Sequence, residues 1–492
     1  MSAPRRIIIV GGGTAGWMAA NLFVKQWAED VVITLVESAQ IGTVGVGEGS
    51  TPTLRRFFEL IDVPERDWMP ACHATYKTGI RFDQWTGNDN YRHPFFSQPD
   101  TFAHRAFFTN CRTRRLGLDV HTLPDDFFLN GQLARQSLAP IAPAHFPFQI
   151  EYGYHFDAGK LGAFLASTAT ARGVEHVQAT IERVVQHPTG ELASLVTSSG
   201  EVLEADFFVD CTGFAGVLLQ KTLGVEFLSF ADSLHNDAAV ALPGPTTQPV
   251  ACETVALAMP HGWCWQIPLT HRTGFGYVYS SDCVSADEAE QALRDVAGVH
   301  DASAKHLNMR VGQVAKHWHR NCLALGLAQG FLEPLEATAL LLVQVTIERF
   351  MQTVQHDDWS ATSQDAFNEE MRTRFNGVRD YIVAHYKLNT RTDTDYWRRV
   401  REDSLVSPAL QDVLHAWFQR EDISPVVEQH YATSHFGTLS WHCLLAGYRA
   451  FPGLADNQPG RGDLFEDQRL QTFMSGCAMN FEPHADALTA LS

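Results

Sequence analysis

Glycines 11, 13 and 16 have the G-x-G-x-x-G spacing, which lets a backbone approach a pyrophosphate and sets it against the free amides of a helix N-terminus. Glu37 follows where an acidic side chain accepts from a ribose hydroxyl. Further on, Tyr76-Lys77-Thr78-Gly79-Ile80-Arg81-Phe82-Asp83 alternates as a strand does. It puts Tyr76, Thr78, Ile80 and Phe82 on one face and Lys77, Gly79, Arg81 and Asp83 on the polar one. A solvated lysine is the simpler reading there, and position alone gives Lys77 no role, although the chain has seven lysines against thirty arginines. Gly262-Trp263-Cys264-Trp265-Gln266-Ile267-Pro268 places two tryptophans on one strand face. They form an aromatic wall suited to core packing or to a partition beside a planar ligand, and the residues alone favour core. Glu333-Pro334-Leu335-Glu336-Ala337-Thr338-Ala339 gathers a carboxylate, a hydroxyl and the amides of a helix start. That set suits an anion such as halide or phosphate, or equally a capping role for Glu336. His317-Trp318-His319 has no carboxylate or cysteine pair nearby to complete a metal shell, so no metal site is expected. There is no G-x-S-x-G elbow and no Walker A lysine, which leaves hydrolase and kinase readings without support.

These residues need elements to position them. Ile7-Ile8-Ile9-Val10, the glycines, the apolar-rich Trp17–Trp27 segment and Val31–Val36 read as strand, tight turn, helix and strand, a βαβ unit that binds a dinucleotide. Ala205–Cys211 before Thr212-Gly213 reads as a further strand of the same sheet, resumed after an insertion. Residues 85–150, rich in Pro, His, Phe and Asn, suggest a loop-dominated insertion that carries substrate contacts. From Glu336 the pattern turns helical, with Leu340, Leu341, Val343, Ile347, Phe350 and Met351 as a buried stripe and Ala366–Tyr386 as a later helix.

The chain has 492 residues, with 37 Lys+Arg against 56 Asp+Glu, a net charge of −19. Phosphate backbones and anionic membranes select basic surfaces, so neither is an expected partner. Nine scattered cysteines without a C-x-x-C pair fit a reducing, cytoplasmic setting. The longest charge-free apolar run, Ala337–Ile347, is far short of the roughly 20 residues of a membrane span.

Taken together, Gly11-Gly12-Gly13-Thr14-Ala15-Gly16-Trp17, Gly45-Val46-Gly47-Glu48, the Lys77 segment, Gly262–Pro268 with its G-W-x-W-x-I-P pattern, and Pro334-Leu335-Glu336-Ala337-Thr338 resemble the flavin-dependent tryptophan halogenase family. The motifs keep the family's order nearly end to end. The resemblance implies an α/β fold: a Rossmann-type FAD-binding module of flavin monooxygenase type over 1–350, with a substrate region inserted at about 85–150. A mainly helical subdomain over 351–492 would complete the pocket. Gly11, Gly13, Thr14, Ala15, Gly16, Glu37, Glu48, Gly49 and Leu327 would hold FAD. A separate reductase would deliver FADH2, since only one dinucleotide fingerprint is visible. Oxygen and halide, bromide or chloride, would then give hypohalous acid, which moves through a tunnel to Lys77. Glu336 matches the family's active-site glutamate, which positions the oxidant or accepts the arene proton. Thr338 and Ala339 match the halide positions, although the family often has glycine in place of Ala339. Trp263 and Trp265 would separate the substrate from the flavin.

The resemblance breaks at the substrate. Tryptophan-acting members grip the amino acid with a tyrosine pair, a glutamate, a phenylalanine and an asparagine ahead of a Tyr-Tyr-Cys triplet. Here the triplet is Trp441-His442-Cys443, the asparagine becomes Ser440, the phenylalanine His435 and the glutamate Tyr431, and the tyrosine pair falls near Ser424-Pro425. His93-Pro94-Phe95 keeps the ring sandwich. An aromatic pocket without an amino-acid clamp predicts free indole or another electron-rich arene. Two alternatives stand beside this reading: a flavin monooxygenase that needs neither lysine nor halide, and a non-catalytic flavin-binding protein.

Overall fold

The computed structural model describes residues 5–27, 30–39, 47–87, 89–355, 359–455 and 467–491, so Gly45 and Val46 of the second motif lie outside the described residues. The chain forms two compact units. One comprises Met1–His73, Phe156–Phe230 and Arg310–Asn376, and the other Ala74–His155, Ala231–Met309 and Gly377–Ser492.

The first unit is built on a six-stranded sheet in the order Trp318–His319, Cys322–Ala324, Phe207–Asp210, Arg6–Val10, Val32–Glu37, Glu175–Gln178. All neighbours are parallel except the first pair. The expected βαβ unit is its centre, with β1 at Arg6–Val10, α1 at Thr14–Trp27 and β2 at Val32–Glu37. Ile7 to Val10 are all buried, because a central parallel strand is covered on both faces and its sequence shows no alternation. Helix α1 buries every residue from Gly16 to Val24 and packs on the helices Ala158–Ala171 and Ala339–Val354. The strand read at Ala205–Cys211 forms over Phe207–Asp210 beside β1.

The second unit carries a seven-stranded sheet in the order Lys305–Asn308, Ala238–Gly244, Thr273–Tyr279, Gly262–Pro268, Thr254–Met259, Gly79–Thr86, Asp89–Pro94. One face, with Val240, Leu242, Cys264 and Tyr277, is covered by the helix Ala286–Ala297, which starts on a Ser285/Glu288 capping box. The sequence reading separates 351–492 as a subdomain, whereas the compact division groups 377 onward with this sheet. Aromatic packing is the reason: Trp85 meets Trp397 at 5.2 Å, Tyr91 meets Tyr448 at 5.4 Å and Phe82 meets His385 at 4.6 Å.

Residues 85–150 depart from the loop-dominated expectation. They hold the strand Asp89–Pro94 and helices at Thr101–Arg115 and Leu129–Gln136. The first helix is led in by a short turn whose Ser97 and Asp100 close a capping box, a signal hidden by the surrounding Pro and Phe. Among the described residues no helix is long and apolar enough to cross a membrane.

Candidate active site

In the first unit the turn after β1 is shaped by close approaches. Gly11 has φ +115°, and a Cβ there would lie 2.1 Å from the Cys211 carbonyl oxygen. At Gly16 a Cβ would lie 2.0 Å from the Gly11 oxygen, so the helix can start this near the strand only without side chains. Gly13 differs, with nothing within 4 Å of its Cβ position. Gly11 to Ala15 are partly exposed while the helix beyond is buried. The turn thus presents open space at the amide end of α1, which is a cradle for a phosphate.

Glu37 closes β2, with its carboxylate over Gly12 and one oxygen 2.8 Å from His176 Nε2. Leu327 sits in the turn Gly326–Ala328, and Gly326 lies against Ala15. Buried Asp210 organises the neighbouring loop, where its carboxylate accepts from the amides of Thr212, Leu218 and Leu219 and from the Thr212 hydroxyl. Glu48 and Gly49, in the strand Gly47–Gly49, are partly exposed. Burial of its carboxyl, reinforced by Asp157, pushes Glu48 up to about 7.

The Glu333–Ala339 segment does not start its helix at Pro334. Pro334–Glu336 is a single 3-10 turn, Ala337 takes φ +54°, and the long helix runs from Ala339 to Val354. A non-glycine residue in the left-handed region costs about 1–3 kcal/mol. Here it redirects the chain so that Glu336 and Thr338, both buried, flank the helix start. The Ala339, Leu340 and Leu341 amides have no intrahelical acceptor, the first such pair being Leu342 N–H to Thr338 O at 3.0 Å.

In the second unit Lys77 ends the strand Thr75–Lys77, opposite Gly153. It is 0% exposed, which corrects the solvated-lysine reading: the polar face of this strand is covered. Its Nζ stands 5.4 Å from the centre of the Phe95 ring, within range of a cation–π contact. Phe95 is half-buried, with its N–H donating to Thr78 O and its carbonyl accepting from Asn130.

Thr75 and His155, at the other end of this strand pair, are linked by a side-chain hydrogen bond. The Thr75 hydroxyl donates to Pro268 O, so it accepts from His155 Nδ1 at 2.9 Å, which leaves Nε2 to accept from Thr254. Burial holds His155 well below its ordinary value, and Lys77 and His484 add to this. Sequence reasoning missed Thr75, His155 and His484, because pattern cannot show contacts across hundreds of residues.

His93 and Ser440 come together through Tyr381. The Tyr381 hydroxyl donates to Ser440 O at 2.9 Å and meets His93 Nε2 at 3.1 Å, and its ring stacks on Phe436 at 3.7 Å. Tyr431 is buried and donates to Asp380 at 3.0 Å, while His435 is exposed. Trp263 and Trp265 share a face as expected, with ring centres 6.2 Å apart, and Trp265 lies on Gly276. His317 is buried against Gln313 and Asn368, and the described residues contain no group of three metal-ligating side chains.

The model of the tryptophan halogenase family matches residues 6–459. The chain is 37% identical over 473 residues to 7-chloro-L-tryptophan 6-halogenase KtzR of Kutzneria sp. (strain 744), covering 90% of each protein. Among solved structures it resembles a tryptophan 6-halogenase (SttH) from Streptomyces toxytricini, with TM-score 0.86 and 33% identity over 99% of both chains. It also resembles BrvH, a flavin-dependent halogenase from Brevundimonas sp. BAL3, with TM-score 0.86, 31% identity, and 100% and 99% coverage. The chain therefore belongs to the tryptophan halogenase family of flavin-dependent halogenases, enzymes that use FADH2 from a separate reductase together with halide and oxygen.

Proposed function

We propose that this enzyme halogenates free indole or a closely related electron-rich arene, rather than the amino acid tryptophan, with Lys77 and Glu336 as catalytic residues. The observation that carries the substrate is Tyr431. Where tryptophan-acting members would place a carboxylate for the substrate's ammonium, this chain has a buried phenol whose hydroxyl is committed to Asp380. His435, in the place of the clamp's phenylalanine, is exposed, and Ser440 shows a carbonyl already bonded to Tyr381.

The residues fit the flavin. Gly11, Gly13, Thr14, Ala15 and Gly16 form a turn with open space at the α1 amides, Glu37 closes β2 for a ribose, and Glu48, Gly49 and Leu327 complete the set. When bound, reduced FAD would supply two electrons to oxygen, and the oxygen so activated would take two electrons from halide to give hypohalous acid. Thr338 and Ala339 offer helix-start amides and a hydroxyl to the halide anion. Lys77 receives the oxidant on a buried ammonium or as a haloamine and directs its halogen to a ring carbon. As the carbon–halogen bond forms, the halogen–oxygen bond breaks, the leaving hydroxide takes a proton from the Lys77 ammonium to become water, and the ring proton passes to a carboxylate, the role assigned to Glu336. Phe95 and the His93–Tyr381 pair supply aromatic and polar surface for the ring.

The test is the reaction with FAD, a flavin reductase, NADH and oxygen, offered indole with bromide, with chloride, and with neither. Halide-dependent haloindole supports the reading, whereas an oxygenated product in halide-free buffer marks a monooxygenase. A second reading, a tryptophan-type amino acid, is favoured by the 37% identical relative, a 7-chloro-L-tryptophan 6-halogenase.

A further inference from the structure

The last described helix, His484–Thr489, lies beyond residues 6–459 matched by the family model. Its first residue is 1% exposed. His484 Nδ1 is 2.9 Å from the Val250 carbonyl oxygen, which can only accept, so Nδ1 carries the proton. Nε2 is then the bare nitrogen and accepts the Tyr76 amide at 3.2 Å. Burial drives this imidazole down to about 4, which keeps the bridging tautomer uncharged at neutral pH. Backbone bonds hold the tail in place: the Ala139 amide donates to Glu482 O and the His484 amide to Ser137 O, each at 2.9 Å, beside a Leu138–Pro483 bridge.

Tyr76 directly precedes Lys77. The segment Val250–Thr254 touches the tail, the residue that follows Lys77 and the lysine strand's partner at alternate positions. The Val250 carbonyl takes His484, the Cys252 carbonyl takes the Thr78 amide and hydroxyl, and the Thr254 hydroxyl meets His155. Successive strand residues point to opposite faces, so a rotation of the peptide at Tyr76 turns Lys77 with it. His484 is the side chain that pins that peptide to the segment.

We infer that His484 is a positioning residue for Lys77: its neutral imidazole bridges the Val250 carbonyl to the Tyr76 amide and fixes the direction in which the lysine presents its nitrogen. This rests on the reading of Lys77 as the catalytic lysine. A mispointed lysine lets the oxidant escape, so the signature is in how oxidant divides between arene and solution, not in overall rate.

The experiment uses the full chain with FAD, reductase, NADH, bromide and indole, and measures haloindole and the hypobromous acid caught by an added β-diketone scavenger. His484→Gln keeps an acceptor at the Nε2 position, whereas His484→Asn keeps only a donor at the Nδ1 position. The expected result is that His484→Asn and His484→Ala lower the ratio of haloindole to trapped oxidant at least tenfold with FAD affinity unchanged. His484→Gln is expected to restore most of that ratio. Equal ratios in wild type, His484→Gln and His484→Asn, with product and oxidant rising or falling together, overturn the proposal and leave His484 as core filling. Lys77→Ala run in parallel separates the two readings. Its retention of haloindole formation removes the lysine assignment and this inference with it, while its loss of haloindole beside unchanged His484 variants defeats the inference alone.

Discussion

Two substitutions two residues apart in one turn should have opposite consequences. Gly11→Ala puts a Cβ 2.1 Å from the Cys211 carbonyl oxygen at φ +115°. Strain at such a backbone costs about 1–3 kcal/mol, and forcing the strand-end contact apart adds about 1–3 kcal/mol. The sum, about 2–6 kcal/mol, is a large part of a typical stability of about 5–15 kcal/mol. Gly13→Ala meets nothing within 4 Å in the protein, so the unliganded fold should keep its stability to within about 0.5 kcal/mol. The same methyl then occupies the space in which a pyrophosphate would approach the α1 amides. A clash of about 1–3 kcal/mol there weakens FAD by roughly 5- to 150-fold. Denaturant unfolding without FAD, paired with flavin-fluorescence titration of each variant, measures both quantities. A Gly13→Ala protein that binds FAD as tightly as wild type would refute the placement of the cofactor at this turn.

Further outcomes are expected. Lys77→Ala should abolish haloindole formation while leaving FAD affinity unchanged, because the lysine is assigned to the halogen and not to the cofactor; mass spectrometry and flavin titration check this. Glu336→Gln should slow product formation by roughly 10²–10³-fold if its charge acts in the transition state, and an unchanged rate would reduce Glu336 to a helix-start residue. Tyr381→Phe removes the hydroxyl shared by Ser440 O and His93 Nε2 and should cost about 1–3 kcal/mol in urea unfolding. Burial holds His317 down to about 3, while the unfolded chain's imidazole titrates near its ordinary value. The unfolded state therefore binds more protons between those values, and stability falls as pH is lowered through that window. His317→Gln should flatten this slope in thermal unfolding scans between about pH 7 and pH 4.5, and identical slopes would contradict it.

The first unit was legible because its signals are local. Four apolar residues, three glycines and a terminal acid fall within one βαβ stretch, and each is where the spacing puts it. The helix at Thr101–Arg115 was missed because the capping box lies on the short turn that leads into it and uses Asp100 where glutamate is the usual partner, in a stretch crowded with Pro and Phe. Lys77 shows the limit of alternation. The pattern read Tyr76–Asp83 as one strand with a polar face, whereas Thr75–Lys77 and Gly79–Thr86 are separate strands of different sheets, and the burial of Lys77 depends on the partner strand at Gly153 and on groups from Phe95 to His484, which no window of sequence contains. Ala337 is a similar case, since alanine gives no warning of φ +54°, and the helix start moved from Pro334 to Ala339 for that reason.

A halogenase that works on an arene without an amino-acid handle should discriminate between indole and tryptophan. The most direct test is a competition in which the reconstituted enzyme is offered equal concentrations of indole and tryptophan with bromide, and the ratio of the two brominated products gives the ratio of kcat/KM. Brominated indole is expected in at least tenfold excess, because Tyr431 offers the substrate's ammonium no carboxylate. A predominance of brominated tryptophan would contradict it.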